Sequence, residues 1–274
     1  MPTCRAGEKL PDLIQPIAVF DAGIGSYAAV AAIRRKLPLQ DILYFADRAS
    51  FPYGDKSRPE LLAILKRTLR FLDGFEPAAV LVASNAPSIT VLDEIEGMSA
   101  RPVFGVRPPI AEALALTGTR DVVVLGVRSM VVSPELRAYA HAQAKGRARQ
   151  VKLVDASCLV DLVESGAFLF APDTTRSAIN SFLDELDARH PNIGAVTLSS
   201  THLPWLRSYL EKARPDLPFL DPLDNAIEAI VRHSATGTGT ALGLVSESER
   251  YRAADFRQML DRLGISLRLH AVRV

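Results

Sequence analysis

Ala79-Val80-Leu81-Val82-Ala83-Ser84-Asn85 and Ala195-Val196-Thr197-Leu198-Ser199-Ser200-Thr201 are one pattern written twice, an apolar run that stops at a small hydroxyl residue. Short apolar runs of this kind read as strands buried on both faces, which are typical of parallel α/β sheets. Such sheets bind their ligands outside the carboxyl ends of the strands. Ser84 and Ser200 are therefore the first two candidate site residues, each delivered by a buried strand to a strand end, where the two could act on one ligand from opposite sides.

Outward from these runs, apolar strands alternate with amphipathic helices almost from end to end, the signature of a parallel sheet with helices on both faces. Strands are expected at residues 17–20, 42–45, 79–83, 103–106, 122–127, 151–154, 195–198, 219–220, 241–245 and 266–272. One helix is expected to begin at Ser57, with Glu60 completing a capping box and Leu61, Leu62, Leu65, Leu69 and Leu72 forming its apolar stripe. A second is expected from about Thr174 to Arg189. Val106-Arg107-Pro108-Pro109 and Arg214-Pro215-Asp216-Leu217-Pro218 interrupt the alternation, because proline restricts itself and the residue before it. They divide the chain into a discontinuous first domain, residues 1–106 plus 219–274, and an inserted second domain, residues 107–218. Ser84 falls on the first and Ser200 on the second.

Composition narrows the class of function. With 274 residues, 48% apolar and 23% charged, the chain has the make-up of an ordinary globular α/β protein. A net charge of +1 gives no long-range attraction to nucleic acid or an anionic membrane, so a small ligand is the expected partner. No apolar run reaches the roughly 18 residues of a membrane span. The N-terminal residues Arg5, Glu8, Lys9 and Asp12 leave no signal-peptide core, and a cytoplasmic location is expected. The two cysteines, Cys4 in an N-terminal tail and Cys158 in an apolar segment, make no disulfide framework. Cys158 is expected to be a small buried hydrophobe.

Several residues have the chemistry for a site. Asp21 follows the first strand directly, where a partly desolvated carboxylate needs a role or a partner. Gly23-Ile24-Gly25 after it reads either as a tight strand-to-helix turn or as a weak phosphate loop. The segment from Phe51 to Ser57 is either a surface turn or a set of amides near a helix start that suits a carboxylate. His202 follows Ser200 within two residues and is placed for proton transfer, or else it caps and packs. Asp161 and Glu164 share one helical face, which is either solvated or functional. A Ser-His-Asp triad could be assembled from Ser84 or Ser200 with His202 and Asp21. Metal-binding HExxH and paired CxxC motifs are absent, as are the Walker and GxSxG motifs.

Together these segments resemble the glutamate racemases of the aspartate/glutamate racemase superfamily. Phe20-Asp21-Ala22-Gly23-Ile24-Gly25 resembles the family's first-strand motif, with Ala22 where a serine normally stands. Tyr44-Phe45-Ala46-Asp47 with Pro52-Tyr53-Gly54-Asp55-Lys56-Ser57 resembles its second motif. Ser84-Asn85-Ala86 aligns with a family Cys-Asn-Thr, and Leu198-Ser199-Ser200-Thr201-His202 with a segment that reads Gly-Cys-Thr-His. Leu162-Val163-Glu164-Ser165-Gly166 is similar to the segment whose glutamate supports the second cysteine. The resemblance implies an α/β fold of two similar parallel-sheet domains with a cleft between them, a homodimer, and racemisation of L- and D-glutamate for peptidoglycan without a cofactor or a metal. It assigns acid/base positions to Ser84 and Ser200, assisted by Asp21 and by the Glu164/His202 pair. It also assigns substrate contacts to Ala22, Pro52, Tyr53, Gly54, Asn85, Ala86 and Thr201.

Both family cysteines are serine in this chain. A thiol near pKa 8.5 can be tuned into the thiolate range, whereas an aliphatic hydroxyl cannot be held as an alkoxide near neutrality. The sequence therefore predicts impaired or altered racemisation, with a non-racemising carboxylate-binding or regulatory paralogue as the alternative. Ala22, Ser26, Ala86, Pro87, Ser199 and Leu203 also depart from the family pattern, which natural divergence explains better than exchange of two cysteines alone.

Overall fold

The computed structural model describes residues 10–274, so Cys4 lies outside the described residues. Among the described residues, ten strands form two sheets. β1 (Ile17–Asp21), β2 (Ile42–Asp47), β3 (Ala79–Val82), β4 (Val103–Gly105), β9 (Ala241–Ser246) and β10 (Leu269–Ala271) make a six-stranded sheet ordered β10-β9-β2-β1-β3-β4. β5 (Asp121–Gly126), β6 (Val151–Asp155), β7 (Ile193–Leu198) and β8 (Phe219–Leu220) make a four-stranded sheet ordered β6-β5-β7-β8. Every pairing is parallel. The fold class is α/β, as the alternation of apolar runs and helices requires.

The strand orders show why the two opening segments look alike. The first four strands of the larger sheet are ordered 2-1-3-4, and the four strands of the smaller sheet repeat that order. In each, the chain goes from the first strand to the second on one side and then crosses back to place the third on the other. The resulting switch point is where a doubly wound sheet binds its ligand. Ser84 follows β3 and Ser200 follows β7, each beyond the third strand of its sheet.

The chain separates into two compact units, residues up to Val106 with Leu223–Val274, and Arg107–Pro222. The proline pattern predicts that Phe219–Leu220 belongs to the first domain. In the structure these residues pair with Val196 and Thr197 of β7, and the second unit runs on to Pro222. The prolines at 215 and 218 mark the entry to an edge strand and not a change of unit.

In the first unit the β1, β2 and β3 side chains are fully buried, and the helix Arg58–Asp73 lays Leu61, Ile64, Leu65, Leu69 and Leu72 against the sheet. The Ser57 N–H and hydroxyl both donate to the Glu60 carboxylate, at 2.8 and 2.6 Å, and these bonds hold that carboxyl below its ordinary range. In the second unit the helix Pro172–Arg189 buries Ile179, Leu183 and Leu186. Cys158 is exposed, contrary to the expectation. The helix Ser157–Glu164 turns Leu159 and Val163 inward, and a residue adjacent to Leu159 points about 100° away from that face. No helix among the described residues is long and apolar enough to cross a membrane.

Close packing in the second unit depends on one glycine of β7. A Cβ at Gly194 would lie 2.7 Å from Arg120 Cβ and 2.8 Å from Thr117 Cβ, at the end of the helix Ile110–Thr117. Gly194→Ala is therefore expected to push that helix off the sheet and to cost about 1–3 kcal/mol of stability, read as a lower unfolding midpoint in denaturant.

Candidate active site

In the first unit the candidate residues lie at the carboxyl ends of β1, β2 and β3. Parallel register aligns these ends: Phe20 pairs with Phe45 on one side and Val82 on the other, and the Ala83 N–H donates to the Phe20 carbonyl at 2.9 Å. Asp21 and Ser84 consequently emerge from neighbouring strands at the same edge. Both are buried, with 3% and 8% of their surface exposed. Ser84 is extended (φ −147°, ψ 127°), opens the short helix Asn85–Thr90, and makes no capping hydrogen bond with its hydroxyl.

Asn85 is fixed in orientation. Its Nδ2 donates to the Val106 carbonyl at 3.0 Å, which leaves Oδ1 buried without a hydrogen-bond partner. Ser88 accepts from the Val106 N–H at 3.0 Å and donates to the Ser84 carbonyl at 2.6 Å. The backbone at Ser84 is thus tied to the last residue of the unit's first segment. Ala86 is buried beside it.

The turn Tyr53–Asp55 packs against the helix Asn85–Thr90, which brings the second motif to the same edge. Pro52 and Gly54 are half-buried and Tyr53 is buried. The Tyr53 hydroxyl donates to Asp47 Oδ2 at 3.1 Å, and Ser246 donates to Asp47 Oδ1 at 2.7 Å. Burial raises the Tyr53 phenol well above its ordinary range, and the carboxylates of Asp47 and Asp21 add to the effect. Tyr53 remains a neutral donor.

Sequence reasoning missed two residues here. Asp47 ends β2 just as Asp21 ends β1, so the signal for it was the same carboxylate after an apolar run. Arg48 is buried, donates to the Ala22 carbonyl at 2.9 Å, and lies over the Phe51 ring at 4.3 Å. It pins the backbone next to Asp21. Nothing in the periodicity announces an inward-facing arginine; its partners come from 26 residues upstream and from the following turn.

In the second unit the candidate residues lie beyond β7. Ser200, Thr201 and His202 are all buried. His202 Nδ1 lies 3.4 Å from Ser200 Oγ, and its Nε2 lies 2.5 Å from Glu164 Oε1 at the end of the helix Ser157–Glu164. The side chains of His202 and Glu164 are 11% and 16% exposed. The structure thus joins Ser200, His202 and Glu164, and the carboxylate on the histidine is Glu164 and not the Asp21 considered from sequence. Asp161, one turn earlier, takes no part in this contact.

Two departures from the family pattern are absorbed into the interior. Ser26 Oγ donates to the Gly23 carbonyl and bonds Tyr44 at 3.1 Å, and Ser199 Oγ bonds Thr197 Oγ1 at 2.8 Å. Each hydroxyl has a native partner, as buried polar groups require.

Comparison with known proteins identifies the family and the fold. The model of the Asp/Glu/Hydantoin racemase family matches residues 45–230. The glutamate racemase of Syntrophus aciditrophicus is 33% identical over 220 residues, covering 79% of this chain and 78% of that protein. A glutamate racemase of Thermus thermophilus is 31% identical over 271 residues, covering 94% and 95%. The crystal structure of Escherichia coli glutamate racemase, in complex with L-glutamate and the activator UDP-MurNAc-ala, superposes with a TM-score of 0.78 at 24% identity and covers 95% of this chain and 100% of that one.

Proposed function

The chain belongs to the Asp/Glu/hydantoin racemase family, and from that premise we propose that it is a glutamate racemase-like protein that binds glutamate or a closely related amino acid and whose proton transfer is impaired. The observation that carries this reading is the matched placement of Ser84 and Ser200, each buried just past the third strand of a 2-1-3-4 sheet. Racemisation needs one group to remove the α-proton and a second to return it on the opposite face. In this reading Ser84 with Asp21 takes one of these roles and Ser200 with His202 and Glu164 takes the other, with hydroxyls in place of thiols.

The binding roles follow from the polar groups present. Asn85 offers a buried acceptor, Oδ1, to an ammonium group and its second Nδ2 hydrogen to a carboxylate. Thr201 is the counterpart in the second unit. Tyr53 and Gly54, with Pro52, Ala22 and Ala86 around them, line the first. The cellular setting of this reading is a cytoplasmic homodimer on a scaffold whose reaction, with both thiols in place, gives D-glutamate for peptidoglycan. A second reading, a carboxylate-binding or regulatory paralogue, is favoured by the loss of both thiols at once.

Calorimetric titration with L- and D-glutamate tests the binding claim. Both enantiomers are expected to bind, and Asn85→Ala is expected to weaken them about 10-fold or more, the effect of losing its two hydrogen bonds to the ligand. A wild-type chain that binds neither enantiomer overturns the reading.

A further inference from the structure

We propose that Ser200 is a nucleophile, activated by a Ser200–His202–Glu164 relay and able to attack an activated acyl or phosphonyl centre. This goes beyond the racemase reading and does not rest on it, since all three residues belong to the second unit.

The relay has a defined direction. A carboxylate only accepts hydrogen bonds, so Glu164 Oε1, 2.5 Å from His202 Nε2, takes the N–H of that nitrogen. In the neutral imidazole the proton then sits on Nε2 and Nδ1 carries the lone pair. Nδ1 lies 3.4 Å from Ser200 Oγ, so the hydroxyl donates to it. The carboxylate orients the imidazole and stabilises the imidazolium, and the imidazole accepts the serine proton; this is how a weak hydroxyl nucleophile is activated. At 3.4 Å this hydrogen bond is long, and contacts of this kind tighten in the substrate complex.

Burial strengthens the case, since Ser200 and His202 are only 5% and 8% exposed and little water competes for their bond. The comparison with Ser84 is internal. Two residues beyond Ser84 stands Ala86, where the second unit has His202. The same replacement of thiol by hydroxyl therefore has different consequences at the two positions. Either serine is a poor base toward carbon, but only Ser200 has an imidazole within two residues to take its proton as Oγ attacks an electrophile.

With an ester the steps balance. Ser200 Oγ bonds to the acyl carbon while its proton passes to His202 Nδ1. The C–O bond to the leaving group breaks, the alcohol departs with the proton from His202, and water releases the acid from the acyl-serine by the same route. With a fluorophosphonate, Oγ bonds to phosphorus and fluoride leaves, and the phosphonylated serine persists.

The test uses the full chain with a fluorophosphonate probe, intact mass and peptide mapping, beside pre-steady-state hydrolysis of 4-nitrophenyl acetate. The expected results are one adduct, located at Ser200, and a nitrophenolate burst equal to the protein concentration. Labelling is expected to fall about 100-fold or more in His202→Ala, and about 10-fold or more in Glu164→Gln, which keeps the shape and loses the charge. No burst in the unmodified chain, an adduct mapped elsewhere, or labelling unchanged in His202→Ala overturns the proposal. The burst needs no variant, so the proposal stays falsifiable even where a substitution fails to fold. Glutamate titration reads the racemase-type ligand separately.

Discussion

Ser84→Cys combined with Ser200→Cys is expected to raise the rate of α-proton exchange of glutamate by at least about 10³-fold, within the range that positioned general acid/base groups contribute. The argument rests on acidity at a fixed place. Both positions are buried at strand ends that parallel register holds rigidly, so a sulfur introduced there starts from the location of the hydroxyl. A thiol begins near pKa 8.5 and can be brought into the thiolate range by a histidine such as His202; a serine hydroxyl remains protonated in the same surroundings. The single variants separate the two roles. Each is expected to exchange the α-proton of one enantiomer and leave the other nearly untouched, because one thiolate reaches one face of the carbon. Deuterium incorporation in D₂O, followed by proton NMR on each enantiomer, reads both effects. A double variant that binds glutamate and still exchanges nothing would show that Ala22 and Ala86, both beside the first half-site, have changed more than the acid/base pair.

Asp41→Ala is expected to be the most damaging single substitution to stability, lowering it by about 3–5 kcal/mol. Asp41 is fully buried immediately before β2. Its Oδ2 accepts from the Ile14 N–H at 2.8 Å, and its Oδ1 accepts from the Thr238 N–H, the Thr238 hydroxyl and the Thr240 N–H at 2.8, 3.0 and 2.9 Å. One carboxylate therefore ties the segment before β1 to the segment before β9. Alanine leaves three backbone donors without their acceptor. Asparagine keeps Oδ1 but sets an amide N–H against Ile14, and an intermediate loss is expected. Burial by itself would raise this carboxyl; the hydrogen bonds outweigh it and hold Asp41 below its ordinary value. Because the folded value is the lower one, the stabilisation is complete above the unfolded carboxylate range, about pH 3.9, and is lost as the pH falls through the folded value. Acid unfolding should thus begin at higher pH in Asp41→Asn than in wild type. Equal acid midpoints for the two would contradict this account.

The fold was legible because its strands are apolar runs with few polar residues, and a parallel sheet buried on both faces asks for little else. All ten runs became strands, and all but Phe219–Leu220 have an end shifted by a residue or more: β1 takes in Asp21, and β10 starts at Leu269 where residue 266 was expected. The Phe219–Leu220 strand was assigned to the wrong unit because pairing partners are not written in a two-residue strand. Among the site residues, Asp21 and Ser84 could be found because each follows an apolar run directly, and Ser200 and His202 because they stand two and four residues beyond one. The partnership of Glu164 with His202 spans 38 residues, and residue spacing alone offered it equally as a solvated helix face. Arg48 was invisible for the converse reason: its burial comes from the aromatic rings of Phe51, Tyr251 and Phe256, which only the folded chain assembles around it.

The most direct test of the central claim is the fate of the α-proton of L-glutamate incubated in D₂O with the wild-type chain at a protein concentration where titration shows the site occupied. The account predicts binding without deuterium incorporation above the buffer rate, since neither hydroxyl can serve as an efficient base toward carbon. Loss of the α-proton signal at an enzymatic rate, with D-glutamate accumulating, would contradict it.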